Sequence, residues 1–338
     1  MENVLLDKLQ RPLRDLRISV TDRCNFRCVY CMPEELFKSG YSFLPSEEIL
    51  SFDEIIRTAK IFVELGVKKI RLTGGEPLLR KDLPILIKEL KNIAGLEDIG
   101  LTTNGSLLRI FANDLYKAGL KRVTVSLDSL DEERFSMING NRCKLKTVID
   151  GIHAALNVGM TVKINMVVKK GQNEQDIIPM AKFCKENKLI LRFIEYMDVG
   201  NINGWQWEEV VTKQQILNIL SEQMPLRQIK ANYPGEVATR YQYLDSEQEL
   251  GIISSVTDTF CSTCSRIRLS ADGKLYTCLF ASKGHDLRSL IRSDQTDETI
   301  MNKITQIWSE RHDRYSEERI YKSTVATNKK IEMSSIGG

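Results

Sequence analysis

The sequence predicts an α/β protein in which six strand–helix units form a partial (β/α)6 TIM-like barrel and a smaller C-terminal α+β domain closes its lumen. Strand-like segments alternate with helix-period segments along the first two-thirds of the 338 residues. Such alternation builds a parallel sheet with right-handed crossovers. Within the strand-like segments apolar and polar residues also alternate, which predicts a polar lumen. An antiparallel sheet with one solvated face is the alternative, but the interleaved helices disfavour it.

Capping residues, glycines and apolar patterns predict the helices and strands along the chain. A helix over Phe52–Leu65 is expected, since Ser51 and Glu54 form a capping box before it and Gly66 follows its end. Gly95, Gly119 and Gly159 are expected to end three further helices in the same way. The predicted strands are Leu16–Val20, Lys69–Thr73, Ile99–Thr102, Val123–Leu127, Val162–Val168 and Leu191–Tyr196. We expect a core domain over 8–227 and a C-terminal domain over 228–338.

The alternation of side chains along each strand predicts which residues line the lumen. In the first, second and fifth strands the apolar positions face the helices, so Arg17, Arg71 and Lys163 face the lumen. A closed eight-stranded barrel fills its axis with branched apolar side chains, whereas cations and hydroxyls here indicate a wide, wet cavity. The expected ligand is an anion. Lys69 and Arg192 also lie on strands, but parity does not assign them.

The composition indicates an enzyme of the cytoplasm. The 48 basic and 45 acidic side chains nearly balance, at a net charge of +3, so neither a nucleic acid nor a membrane is expected as a partner. No apolar stretch is long enough for a secretory signal or a membrane span. In a reducing compartment the eight cysteines are better interpreted as metal ligands and free thiols than as disulfides.

Six of the cysteines form two groups of three at opposite ends of the chain. The first cysteine triplet is Cys24, Cys28 and Cys31, and the second cysteine triplet is Cys261, Cys264 and Cys278. A structural zinc site or an electron-carrying cubane is closed by four ligands. Three thiolates on a [4Fe–4S] cubane leave one iron open, so two clusters would bind two small molecules. A zinc knuckle that borrows His285 is the alternative for the second triplet. Cys143 and Cys184 match no ligand spacing.

The segment Cys24-Asn25-Phe26-Arg27-Cys28-Val29-Tyr30-Cys31 resembles the signature of the radical S-adenosylmethionine (SAM) superfamily. The resemblance implies that the first triplet holds a [4Fe–4S] cluster whose open iron binds SAM. It also implies that Gly75, in Gly74-Gly75-Glu76-Pro77, receives the amino group of SAM. The same resemblance places Tyr30, Ser126 and Met197 against the adenosine and ribose.

The segment from Phe260 to Phe280 resembles the C-terminal signature of the GTP 3′,8-cyclase (MoaA) family within that superfamily. The resemblance runs from about Leu9 to the last residues and includes the terminal Ile336-Gly337-Gly338. It implies that the second triplet holds another [4Fe–4S] cluster, whose open iron binds the guanine of GTP. The implied GTP contacts are Arg17, Arg71, Thr102, Lys163, Arg266 and Arg268.

The family's activity would make this chain a lyase that converts GTP to (8S)-3′,8-cyclo-7,8-dihydroguanosine 5′-triphosphate, the first step of molybdenum cofactor biosynthesis. The resemblance further implies that Gly337 and Gly338 reach into the active site and assist catalysis. The expected partners are a low-potential electron donor and, through its product, cyclic pyranopterin monophosphate synthase. The sequence leaves a homodimer open.

Two other functions compete. A radical SAM enzyme that modifies peptides would carry more cysteines to close its auxiliary clusters, but only three follow residue 184. A non-catalytic iron–sulfur or zinc protein could sense redox state or bind nucleic acid. An assay for 5′-deoxyadenosine after anaerobic reconstitution separates that protein from an enzyme.

Overall fold

The computed structural model describes residues 4–38, 40–322 and 330–337. The described residues form one twelve-stranded sheet with the order β12-β11-β10-β1-β2-β3-β4-β5-β6-β9-β8-β7. The first six strands are parallel neighbours in chain order, with helices between them. The predicted α/β class and its six strand–helix units are confirmed.

The described residues contain twelve strands, of which the first six lie within one residue of their predicted bounds. They are β1 Asp15–Ser19, β2 Lys69–Thr73, β3 Asp98–Thr103, β4 Arg122–Ser126, β5 Thr161–Val168, β6 Ile190–Glu195, β7 Leu226–Ile229, β8 Thr239–Tyr243, β9 Glu249–Ile253, β10 Arg266–Leu269, β11 Lys274–Tyr276 and β12 His285–Asp286. The α-helices are α1 Phe52–Glu64, α2 Leu83–Lys91, α3 Leu108–Lys117, α4 Glu132–Ile138, α5 Leu145–Asn157, α6 Ile177–Glu186, α7 Lys213–Ser221, α8 Arg288–Arg292, α9 Asp297–Ser309, α10 Tyr315–Lys322 and α11 Met333–Ile336.

Helix ends follow the predicted chemistry except at one position. The capping box at α1 is present, with the Ser51 side chain accepting from the Glu54 amide and the Glu54 carboxylate accepting from the Ser51 amide. Gly119 and Gly159 follow the ends of α3 and α5 with φ of 110° and 91°, where a side chain would be strained. The expectation for Gly95 is wrong. Helix α2 ends four residues earlier, at Lys91, and Gly95 lies in the turn that follows.

The C-terminal part of the chain extends both edges of the six-stranded sheet. Strand β10 pairs in parallel with β1, bringing Arg268 beside Arg17, and β9 pairs in parallel with β6. Side chains from β1 to β6, β9 and β10 line one cavity, so the sheet curves around a lumen. The core lies between the sheet and its helices, with Leu16, Ile18 and Ile70 fully buried. The described helices include none that is both long and apolar enough to cross a membrane.

Candidate functional site

One cavity collects most of the predicted site residues from both ends of the chain. The predicted residues that line it are Arg17, Tyr30, Arg71, Thr102, Ser126, Met197, Cys261, Cys264, Arg266, Arg268 and Cys278. Lys163 lines an adjoining cavity that shares Lys69, Arg71 and Arg192 with the first. Gly75 and the first cysteine triplet do not line the first cavity.

The first cysteine triplet lies on the loop that leaves the C-terminal end of β1. The Cys31 amide donates to the Cys28 carbonyl at 3.0 Å, which closes a turn, and the Phe26 amide donates to Cys24 Sγ at 3.4 Å. Burial raises the pKa of Cys24 to about 11 and the pKa of Cys31 to about 12. These thiols are therefore protonated without iron, and binding a cluster must release protons. Three neighbouring thiols on one loop fit a three-ligand cubane.

Gly75 supports this loop through close backbone contact. Its amide donates to the Thr21 carbonyl at 2.8 Å. A Cβ at this position would lie 2.2 Å from the Arg23 carbonyl oxygen, so no larger residue fits without moving the backbone. The Gly74–Gly75 segment therefore sets the path of the chain into Cys24. Whether Gly75 also contacts SAM stays a prediction.

Glu76 is a site residue that the sequence reasoning missed. Its carboxylate is 1% exposed and accepts from Thr103 Oγ1 at 2.7 Å and from the Asn104 amide at 2.7 Å. Burial raises its pKa to about 7. Asn104 Nδ2 in turn donates to Asn25 at 2.8 Å. Glu76 thus ties the ends of β2 and β3 to the first cysteine loop.

Asp128 is a second missed residue, and it holds Tyr30. The Tyr30 hydroxyl donates to Asp128 Oδ2 at 2.6 Å, while Asp128 Oδ1 accepts from the Val167 amide at 2.8 Å. Burial raises the pKa of Asp128 to about 6. The carboxylate orients the tyrosine ring along the cavity wall near Ser126. Its position two residues after Ser126, just beyond a strand end, is a signal that could have identified it.

The second cysteine triplet lines the cavity beside Arg266 and Arg311. Arg266 and Arg311 each donate to Cys264 Sγ at 3.2 Å. Burial alone would raise the pKa of Cys264, but the two guanidinium charges outweigh it and lower the pKa to about 6. Burial raises the pKa of Cys278 to about 12. One thiolate already present beside two cations fits a metal-bound cluster ligand.

The zinc alternative gains no support at this position. Among the described residues, no three His, Cys, Asp or Glu side chains are arranged to hold a single metal ion. His285 is exposed on β12 and does not line the cavity that holds the second triplet. In a cubane each thiolate binds a different iron, so three ligands need not converge on one point.

The lumen carries buried cations whose charge is poorly compensated. Burial, reinforced by Arg268 and Arg71, lowers the pKa of Arg17 well below its usual value. The pKa values of Arg71 and Arg268 fall to about 10 for the same main reason. The Nε atoms of Arg17 and Arg71 and the Thr102 hydroxyl are buried without a hydrogen-bond partner among the described residues. Buried donors of this kind require a partner, and an anionic ligand with many acceptors would supply it.

The adjoining cavity extends the cationic wall. Lys69, Lys163 and Arg192 line it together with Arg71, so the two side chains that parity left unassigned belong to the same group. Burial and the neighbouring arginines lower the pKa of Lys163 to about 7. The loop between β7 and β8 covers this cavity, and Tyr233 accepts from Lys69 Nζ at 3.3 Å.

The C-terminal tail, residues 330–337, ends inside the lumen. Ile336 is fully buried, and a Cβ on Gly337 would lie 2.2 Å from Thr73 Cγ2 and 3.1 Å from Ser19 Oγ. Gly337 has a φ of 70°, and its carbonyl accepts a hydrogen bond from Arg268. A glycine is required here by both the backbone angle and the close approach. Gly338 lies outside the described residues.

Two family profiles match consecutive parts of the chain. The profile of the Radical SAM superfamily matches residues 18–184, and the profile described as Molybdenum Cofactor Synthesis C matches residues 189–317. Together they cover the first cysteine triplet, strands β2 to β6, the end of β1 and the second triplet.

Similar proteins are known over the full length. A GTP 3′,8-cyclase of Staphylococcus epidermidis is 50% identical over 341 aligned residues, covering 100% of both chains. One of Staphylococcus haemolyticus is 51% identical over 335 residues, covering 98% of each. Among solved structures, Streptococcus suis SuiB bound to S-adenosylmethionine aligns with a TM-score of 0.56 at 16% identity, over 90% of this chain and 65% of that one. At that identity the structural likeness bears on the fold alone.

Proposed function

The chain belongs to the GTP 3′,8-cyclase family of radical SAM enzymes, and on that premise we propose how its residues divide the reaction. Its activity is the cyclisation of GTP to (8S)-3′,8-cyclo-7,8-dihydroguanosine 5′-triphosphate, the first step of molybdenum cofactor biosynthesis. SAM and a [4Fe–4S] cluster are its cofactors. A peptide-modifying radical SAM activity is not favoured, since the cyclases match the full chain at 50% identity.

We propose that the first cysteine triplet holds the cluster that binds SAM. When bound, SAM and this cluster would supply the radical chemistry that removes a hydrogen atom from the 3′ carbon of GTP so that this carbon can bond to position 8 of the guanine, with one electron and one proton completing the dihydro product. Gly75 fixes the loop through its hydrogen bond to the Thr21 carbonyl, and the backbone of this segment would receive the amino group of SAM. Tyr30, held by Asp128, would lie against the adenosine, with Ser126 and Met197 completing that wall.

The second cysteine triplet is proposed to hold another [4Fe–4S] cluster and, through it, the guanine of GTP. Support comes from Cys264, whose thiolate is stabilised by Arg266 and Arg311, and from the position of all three thiols on the wall of the same cavity as Tyr30. Base and ribose would then lie between the two triplets. This clamp brings the 3′ carbon and position 8 together and excludes water from a reactive radical.

The triphosphate is assigned to the cationic wall. The proposed contacts are Arg17, Arg71, Thr102, Lys163, Arg266 and Arg268, with Lys69 and Arg192 added by their position in the adjoining cavity. Forked guanidinium groups bind phosphate oxygens through paired hydrogen bonds. A triphosphate would also restore the pKa of Lys163 toward its usual range by offsetting the neighbouring positive charges.

Gly337 and Gly338 are proposed to assist catalysis from within the lumen. The contact between the Gly337 carbonyl and Arg268 supports this role, because it joins the tail to a proposed GTP contact. The tail would position that arginine and close the lumen while the radical exists.

The remaining assignments are also proposals. We propose a low-potential electron donor for the first cluster, delivery of the product to cyclic pyranopterin monophosphate synthase, and action in the cytoplasm, where all eight thiols stay reduced. A homodimer is open to test by sedimentation. The division into a core domain, 8–227, and a C-terminal domain, 228–338, stays a prediction.

The observation that carries this function is the group of poorly compensated buried cations that shares one cavity with the second cysteine triplet and with Tyr30, next to the first triplet in the sequence. The test is anaerobic incubation of the iron-loaded protein with GTP, SAM and dithionite, followed by mass spectrometry. Formation of 5′-deoxyadenosine is expected together with consumption of GTP and a new product that has the mass of GTP but separates from it by chromatography. Formation of 5′-deoxyadenosine without consumption of GTP would contradict the substrate assignment.

A further inference from the structure

Asp198 lies at the meeting point of three parts of the chain. Its side chain is 12% exposed, and the residue directly follows Met197 in the loop after β6. It accepts from the Tyr315 hydroxyl at 2.5 Å and from Arg319 Nε at 2.9 Å, both on α10. It also accepts from Lys330 Nζ at 2.7 Å. Burial alone would raise the pKa of Asp198, but Arg319 and Lys330 outweigh it, so the pKa is lowered.

Asn201 makes a second set of contacts to the same segment of the tail. Its side-chain amide donates to the Lys330 carbonyl at 2.6 Å and its side-chain oxygen accepts from the Lys330 amide at 3.0 Å. The Asn201 backbone amide donates to Glu332 Oε1 at 3.0 Å. Gly200 has a φ of 74°, and a Cβ there would lie 2.1 Å from Glu332 Oε2. The loop after β6 therefore fits residues 330–332 through both side-chain and backbone groups.

The contacts of Asp198 and Asn201 determine the position of the residues that follow Glu332. Only Met333–Ile336, the single turn of α11, separates Glu332 from Gly337. A four-residue helix cannot hold itself in place, so its position depends on what anchors its start. The Ile331 amide, which donates to the Ala281 carbonyl at 3.0 Å, adds one backbone contact to the anchor. Moving the anchor by one residue would withdraw Gly337 from Arg268.

We propose that Asp198 and Asn201 form a latch that sets the register of the C-terminal tail. They are positioning residues, since they act through the tail and do not touch the reacting atoms. The latch also joins the tail to Met197, a proposed SAM contact, so the loop after β6 would hold both at once. The catalytic consequence rests on the proposed function, whereas the latch itself rests on the contacts alone.

The test is hydrogen–deuterium exchange by mass spectrometry on the full-length, iron-loaded protein. Lys330→Met removes the positive charge of Lys330 and leaves the hydrogen bonds from Tyr315 and Arg319 to the Asp198 carboxylate, so the fold should hold. Exchange of residues 331–337 should rise about tenfold or more, the scale for losing a buried charge-assisted hydrogen bond. Lys330→Arg, which keeps the charge, should restore much of the protection, and Asn201→Ala should raise exchange in the same residues.

Matched measurements separate a latch from a general loss of stability. Asp245→Asn breaks a surface ion pair with Lys185 and should change neither tail exchange nor activity. In Lys330→Met, exchange of β4 should equal that of the wild type. With GTP, kcat should fall more than tenfold while KM changes less than twofold, since Arg17, Arg71 and Lys163 remain for the triphosphate although the tail no longer holds Arg268. Wild-type exchange of 331–337 in Lys330→Met and in Asn201→Ala would overturn the latch, whatever the enzyme does with GTP.

Discussion

Arg71→Met should have opposite effects on the empty protein and on GTP binding. Arg71 is 8% exposed, and its pKa falls from 12.5 to about 10, mainly because burial disfavours the charge. Below pH 10 the guanidinium is charged in both the folded and the unfolded chain, so its lowered folded pKa is a cost to the folded state. At 1.36 kcal/mol per pH unit this cost is about 3 kcal/mol. It is relieved only as the pH rises from about 10 towards 12.5.

Removing that charge should therefore stabilise the protein without GTP, by up to about 3 kcal/mol, or several degrees in Tm. The affinity for GTP should fall about 10- to 100-fold, the scale for a lost charge-assisted hydrogen bond. Thermal unfolding and calorimetry at pH 8 measure the two effects. Arg109→Met, at a side chain 72% exposed, is the matched control and should change neither. A lower Tm without GTP, or unchanged GTP affinity, would show that Arg71 is a structural residue and not a contact for the triphosphate.

Three further outcomes are expected. Replacing either cysteine triplet by alanine should remove half of about eight irons per chain, with SAM cleavage lost only for the first triplet; full iron content after either change would refute the ligand assignment. In iron-free protein at pH 7, iodoacetamide should label Cys264, whose pKa is about 6, much faster than Cys24, whose pKa is about 11. Arg311→Met should raise the pKa of Cys264 and so slow its labelling. Equal labelling rates for the two thiols would show that the arginines do not activate Cys264. Deleting Gly337 and Gly338 should spare iron content and Tm but lower the cyclisation rate steeply, with partial rescue by a peptide ending in Ile-Gly-Gly; a wild-type rate in the truncated enzyme would contradict a catalytic tail.

Local patterns are enough to predict the barrel strands and the direction of their cations. Arg17, Arg71 and Lys163 each lie between apolar neighbours on a strand, so period-two alternation assigns them to the lumen, and all three line a cavity there. Cysteine spacing alone likewise groups six of the cysteines into two triplets, whose role as cluster ligands stays a prediction. Parity could not assign Lys69, which begins its strand, or Arg192, whose neighbours are apolar on both faces of β6.

The long-range partners could not be predicted in this way. Nothing local in Arg266–Leu269 indicates that β10 pairs with β1, because that contact closes a loop of about 250 residues. Asp128 and Asp198 follow strands as any turn aspartate would, and only the fold shows that one holds Tyr30 and the other Lys330. Arg311 lies in the loop between α9 and α10, and its contact with Cys264 depends on how that loop packs against the barrel.

The central claim is that one lumen holds SAM chemistry and GTP close enough for direct hydrogen transfer. The most direct test uses GTP deuterated at the 3′ carbon, incubated anaerobically with the iron-loaded protein, SAM and dithionite. We expect 5′-deoxyadenosine that carries one deuterium, formed together with a cyclised triphosphate that has lost that deuterium from its 3′ carbon. Unlabelled 5′-deoxyadenosine beside a cyclised product would contradict the central claim.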